Sequence, residues 1–157
     1  MKMKKCNKCK NTEFEIIERS NTYNVKGNTN IEIQERVMQC SSCGEIIFNE
    51  ELEKENLEIL FNKYRIEKKL LGPHEIKAIR EKYDLGQRAF AKILGWGEIT
   101  IHRYENNNLI DETHSKMLEL IKEPQNMRTL LEESKDKIGE TTYKKVNNRL
   151  NLLEKEA

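Results

Sequence analysis

The chain has no run of 18 consecutive apolar residues, so no segment is suited to cross a membrane as a helix. It has no Gly-rich phosphate loop, no nucleophile elbow and no His-Glu-x-x-His pair. Its three histidines, His74, His102 and His114, are scattered. Nothing in the sequence therefore points to an enzyme. Aromatics are sparse at 6%, and hydrophobic residues reach only 36% against 35% charged. That balance disfavours one large core, and two small modules fit 157 residues better. Neither sign of charge dominates: the net formal charge is +1, which names no partner. The basic start, Met1-Lys2-Met3-Lys4-Lys5, is not followed by an apolar stretch, so the expectation is a cytoplasmic protein.

Cysteine is confined to two pairs of equal spacing, Cys6-x-x-Cys9 and Cys40-x-x-Cys43. Brought together, they supply four thiolates, which suits tetrahedral Zn²⁺ with Zn–S bonds of about 2.3 Å. Disulfides would need an oxidising compartment, and a thioredoxin-like pair would need a βαβ context. Gly44, directly after Cys43, fits a metal knuckle whose backbone N–H groups turn toward a thiolate. One structural zinc follows, since four protein ligands leave no open position for catalysis. Thiolates also oxidise, so a redox-sensitive version of the site stays open.

Between the pairs, residues 12–18 and 30–34 alternate polar and apolar, with turn chemistry over residues 24–28. Ile46-Ile47-Phe48 reads as a short last strand. A small antiparallel sheet tied by the knuckles is expected, marginal without metal. Residues 50–71 hold no Gly or Pro, and Leu57, Leu60, Phe61, Tyr64, Lys68 and Leu71 recur at helical spacing, as in an amphipathic linker helix. Gly72 suits a helix C′ position and Pro73 the first turn of the next helix. Short helices then follow to a stop at Pro124, and two more are expected over residues 126–134 and 141–154.

Residues 86–105 match a helix-turn-helix: two helices of about eight residues joined by a turn of two or three that contains glycine. Ala91 is small where the helices cross, Gly95 permits a positive φ, and Ile101 and Tyr104 face inward. That leaves Glu98, Ile99, Thr100, His102 and Arg103 on the outer face, where such a second helix meets base edges. Arg103 suits guanine O6 and N7, or a phosphate. Gln87 and the neighbouring Arg88 stand at the first helix's N-terminus, and Gln87 is placed to contact phosphate. Glu98 can accept from cytosine N4 or repel phosphate, Ile99 can touch a thymine methyl or pack, and His102 can gain charge or stay solvated. The residues leave these choices open. Arg80 and Glu105 are read as a structural ion pair between helices. Residues 73–124 carry eight Lys and Arg against nine Asp and Glu, so DNA binding here rests on arrangement rather than basicity.

Together, the two cysteine pairs with Gly44-Glu45, Ile76 to Arg80, Gln87 to Gly95 and Arg103-Tyr104-Glu105 resemble the MqsA-type antitoxins. These join a YgiT-type zinc finger to an XRE-type helix-turn-helix, and the resemblance covers roughly residues 3–123. It implies an α+β chain: a zinc-bound antiparallel β domain (1–49), a linker helix (50–72) and an all-α helix-turn-helix domain of the XRE/lambda-repressor kind (73–124); residues 125–157, expected from their own apolar periodicity to form a helical extension, have no counterpart in the family's short members. It also implies a homodimer that represses its own operon at a palindromic DNA operator and binds a protein toxin through the N-terminal domain. Arg103 matches a DNA-reading arginine of the family, whereas Ile99 stands where its best-studied pattern has asparagine. Asn107 replaces the usual glycine. A regulator without a toxin, or an adaptor that no longer binds DNA, are the rival readings.

Overall fold

The computed structural model describes residues 5–156; residues 1–4 of the basic start, and Ala157, lie outside them. The chain divides into two compact units, Met1–Glu67 and Lys68–Ala157.

The first unit is built on a three-stranded antiparallel sheet in the order β1 (Phe14–Val25), β2 (Thr29–Cys40), β3 (Ile46–Ile47). The two long strands pair from Phe14 opposite Cys40 to Val25 opposite Thr29. Both are longer than the alternation alone suggests, because polar β1 residues such as Arg19, Asn21 and Tyr23 carry the pattern through. Lys26 and Gly27 turn the hairpin at φ 52° and 75°, and Gly27 tolerates this because it lacks a Cβ. Along β2 the even spacing of Thr29, Ile31, Ile33, Glu35 and Val37 buries one face. Glu35 is buried there as a charge, and it is kept ionised by partners. Arg19 Nε donates to it at 2.6 Å, Asn21 Nδ2 at 3.2 Å, and the Tyr23 hydroxyl donates as well. Burial alone would raise the Glu35 pKa, but these hydrogen bonds and the Arg19 charge hold it below the usual carboxylate value.

Helix α1 (Glu50–Lys68) buries Leu52, Asn56, Leu60 and Tyr64, one residue every turn. Leu57, expected in this stripe, is 45% exposed, because the buried row runs through Asn56 instead. Asn56 is inside because its amide serves the sheet. Its Oδ1 accepts from Arg36 N at 3.0 Å and its Nδ2 donates to Arg36 O at 2.9 Å, which satisfies both backbone groups on a stretch of β2 that β3 does not reach. Lys69, at φ 53°, takes the left-handed position after α1. Gly72 is instead the N-cap of the next helix, its N–H donating to Glu75 Oε2.

The second unit is all helical: α2 (Pro73–Lys82), α3 (Gln87–Ile93), α4 (Thr100–Glu105), α5 (Glu112–Leu120), α6 (Pro124–Glu133) and α7 (Glu140–Glu156), with a 3-10 turn at Lys135–Lys137. Pro124 starts α6 rather than merely ending α5, since proline's fixed φ suits the first helical position. Helices α3 and α4 span seven and six residues, and residues 94–99 join them, a longer turn than the sequence suggests. The reason is a full helix stop. Gly95, at φ 71°, donates to Lys92 O, and Trp96 N reaches Ala91 O at 2.8 Å, so the last carbonyls of α3 are satisfied before the chain moves on.

One core gathers Ile76, Ile79, Tyr83, Phe90, Ala91, Ile101, Ile110 and Leu118 with Met127, Leu131, Val146 and Leu150. The C-terminal helices are therefore a wall of this unit and not an appendage. Arg149 Nε donates to Lys82 O at 2.9 Å, and Arg128 binds Asn147, Asn151 and Glu154 across α6 and α7. Leu150 is fully buried, so Leu150→Ala is expected to cost about 2–5 kcal/mol, read as a lower urea midpoint for the helical unit.

Candidate metal centre and nucleic-acid interface

The two cysteine turns have the same backbone. Lys10 N donates to Cys6 O and Gly44 N to Cys40 O, both at 2.9 Å. Cys6 N then reaches Asn11 O and Cys40 N reaches Glu45 O, closing each turn over its first cysteine. The residue after each pair is left-handed, Lys10 at φ 66° and Gly44 at 73°. Glycine meets that demand at low cost, whereas Lys10 meets it with no sequence sign. Pairing of Phe14 with Cys40 sets the second turn at the sheet's end.

All four sulfurs lie within 4.8 Å of one another. Cys6 Sγ is 3.6 Å from Cys43 Sγ, and Cys9 Sγ is 3.5 Å from Cys40 Sγ. A tetrahedral ion with metal–sulfur bonds of about 2.3 Å has sulfur–sulfur edges of about 3.8 Å, so the donor set fits such an ion. Both of these contacts bridge the two turns, so a metal here joins both ends of the inserted hairpin. Burial disfavours the Cys40 thiolate, but the N–H groups of Cys43 and Ser42 and the Asn11 amide outweigh it and bring Cys40 down to about 6. The Glu45 N–H favours ionisation of Cys43, yet burial and three neighbouring sulfurs push it up to about 12. Four thiolates this close repel one another, and a central cation removes that conflict. Asn11, whose Nδ2 lies 3.7 Å from Cys40 Sγ, is a supporting residue the sequence gave no reason to select.

In the helical unit, Arg80 holds Glu105 with two hydrogen bonds. Its Nε donates to Oε1 at 2.6 Å and its Nη2 to Oε2 at 3.0 Å, while Nη1 donates to Leu85 O at 2.7 Å. The side chains are 11% and 7% exposed, which makes this a buried pair between α2 and α4. Burial would raise the Glu105 pKa, but the Arg80 and Gln87 hydrogen bonds and the Arg80 charge keep it below its usual value.

Ile101 is fully buried and seats α4 on the core. Residues 99, 102, 103 and 106 then share the opposite face at helical spacing. Ile99 is 54% exposed and is the N-cap of α4, and Glu98 precedes it, so these two stand in the approach to the helix rather than within it. Gln87, Arg88, Glu98, Ile99 and His102 line one open cleft between the start of α3 and the start of α4. Thr100 is half-buried at the first position of α4. Glu98 pairs with Lys92 at 3.5 Å. Arg88 and Arg103 are exposed, and neither has an ion-pair partner among the described residues. Gln87 is turned inward: its Nε2 donates to Glu105 at 2.7 Å, and its Oε1 meets His102 Nδ1 at 3.3 Å.

A second cluster steadies the turn. Trp96 stacks on His114 with ring centroids 3.9 Å apart, and the Tyr104 hydroxyl meets His114 Nδ1 at 2.7 Å and Asp111 Oδ2 at 3.2 Å. Asp111 caps α5 by accepting from His114 N. Burial and the nearby Asp111 charge push Tyr104 up to about 12. Neither this cap nor the stacking of Trp96 across the fold is part of the sequence reading.

Among the described residues, no helix is long and apolar enough to cross a membrane. No curated protein matches this chain. The family described as the antitoxin component of bacterial toxin-antitoxin systems, MqsA, matches residues 3–135, which take in both cysteine turns, α1 and the helix-turn-helix; the chain belongs to that family.

Proposed function

We propose that the protein is an antitoxin that also represses its own operon as a sequence-specific DNA-binding homodimer. The observation that carries the DNA reading is the outer face of α4 with the start of α3 beside it: Arg103 on α4 and Arg88 on α3 stand exposed and uncompensated around Ile99 and His102. Behind them, a buried ion pair fixes the helix on which Arg103 sits. A helix so placed enters the major groove, where a guanidinium binds guanine bidentately or a phosphate. Two copies related by a twofold axis would read a palindrome with half-sites about 34 Å apart. One Zn²⁺ bound by Cys6, Cys9, Cys40 and Cys43 is the metal that best suits four thiolates in a tetrahedron, and its role is structural. Membership of an antitoxin family supports a protein toxin as partner, and the metal unit is the part of the chain left for it. A cytoplasmic setting agrees with thiolates used for metal rather than for disulfides.

Arg103→Ala is expected to weaken binding to the operon's upstream DNA by about 1–3 kcal/mol and relax discrimination at one base pair. Fluorescence anisotropy with specific and altered duplexes measures both. Wild-type affinity retained in the variant would overturn the assignment. Co-expression of the chain with the neighbouring open reading frame, followed by capture of the tagged chain, tests the toxin half of the proposal.

A further inference from the structure

The hydrogen-bond chain behind α4 fixes more than the helix position; it fixes the proton on its exposed histidine. Glu105 is ionised and held by Arg80, and a carboxylate only accepts hydrogen bonds. The Gln87 atom 2.7 Å from Glu105 Oε2 is therefore the amide nitrogen, and the amide oxygen is left facing His102 Nδ1 at 3.3 Å. An amide oxygen also only accepts, so the hydrogen of the neutral imidazole resides on Nδ1. Nε2, at the far end of an exposed ring, then presents a lone pair.

Asn106 does not compete for either nitrogen. Its Nδ2 is 3.3 Å from Nδ1 and 3.5 Å from Nε2, nearly equidistant. In the ring plane that position would collide with the carbon between the nitrogens, so the amide lies over the ring face. One of its two N–H groups donates to His102 O at 2.8 Å, and the other meets the ring from its face rather than along a nitrogen lone pair.

We propose that His102 is a specificity-determining residue: an acceptor set by the Arg80–Glu105–Gln87 chain, which reads an exocyclic amino group in the major groove, adenine N6 or cytosine N4. This rests on the DNA-reading proposal above. Guanine O6 and N7 and thymine O4 are acceptors and oppose the Nε2 lone pair, so the base on the contacted strand is selected by its donor. Gln87 is a positioning residue in this scheme. It touches no base through the atoms described and acts by fixing the tautomer.

The test has two parts, both on the full-length protein at roughly pH 8, above the usual range of histidine ionisation. The first is long-range ¹H–¹⁵N NMR of the histidine rings without DNA. His102 is expected as the Nδ1–H tautomer, and Gln87→Leu is expected to restore the Nε2–H form. An Nε2–H ring in the wild type overturns the proposal. The second selects a bound sequence from random duplexes and locates the base whose preference changes in His102→Ala. An analogue lacking the amino group there (purine for adenine, 2-pyrimidinone for cytosine) should weaken wild-type binding by roughly five- to tenfold, as for one lost hydrogen bond. Removing the N7 acceptor of the purine at that position should leave binding unchanged. Neither analogue should discriminate in His102→Ala, and the ratio should collapse in Gln87→Leu. An effect of N7 loss without an effect of amino loss, or a selection profile unaltered by His102→Ala, overturns the inference while DNA reading stands. If no duplex is enriched at all, the DNA reading falls and this inference falls with it.

Discussion

Removing the metal from the cysteine centre is expected to unfold the sheet of the first unit while the helical unit keeps its structure. The centre joins two turns separated by the whole β1–β2 hairpin, and Cys6 and Cys40 are buried at 0% and 1% exposure. Without a cation, four thiols within 4.8 Å must hold protons or repel. Binding energy of a structural Zn²⁺ is folding energy, about 10–16 kcal/mol apparent near neutral pH in small zinc modules. A chelator titration followed by two-dimensional NMR should erase the β1–β3 resonances and leave those of α2–α7 in place. Cys40→Ser should act like the chelator. A metal-free chain whose sheet resonances persist would mean that α1, Asn56 and the Glu35 network suffice to fold the unit.

The second large effect is expected at Glu105. Glu105→Gln should destabilise the helical unit by about 3 kcal/mol at neutral pH, because it leaves the Arg80 guanidinium buried opposite a neutral amide. The dependence on pH follows from the direction of the shift. The folded Glu105 pKa lies below the ordinary 4.5, so its stabilisation is complete above that value and disappears as pH falls through the folded value. The gap between wild type and variant in urea denaturation should therefore close on acidification to below the folded pKa. A gap that stays constant down to that point would show that the carboxylate charge is not what holds the pair.

These two sites differ in how much of them the chain displays in advance. Equal Cys-x-x-Cys spacing is a local signal, and Gly44 marks one turn, so the donor set is readable without coordinates. Lys10 is not marked, since lysine has no preference of its own for the positive φ it takes in the turn closed by its N–H on Cys6 O. The helix-turn-helix is legible through Ala91, Gly95 and Ile101, whose sizes answer a packing demand at known spacing. Its inner hydrogen bonding is less so. Gln87, at the start of a helix, reads as a phosphate contact; the structure turns it toward Glu105, because a buried carboxylate offers a stronger acceptor than water does. In α1, apolar periodicity favoured Leu57, yet Asn56 is buried, because an open strand edge needed a donor and an acceptor at one point. Pattern reading sees hydrophobic burial and misses polar satisfaction. For the C-terminal helices the periodicity of Val146 and Leu150 was plain, but not which surface they would meet. The helices close the core behind α2 and α3, and α7 begins beyond residue 135, where the family match ends.

The outer face of α4 is expected to read DNA sequence. This is tested most directly by titrating the full-length chain, with metal, against the DNA upstream of its own operon and against a scrambled duplex of equal length. The expected result is markedly tighter binding to the upstream duplex, weakening steeply with salt as phosphate counterions are recaptured, with the preference reduced by Arg103→Ala. Equal affinity for the two duplexes, or an Arg103→Ala chain that keeps the full preference, would contradict it.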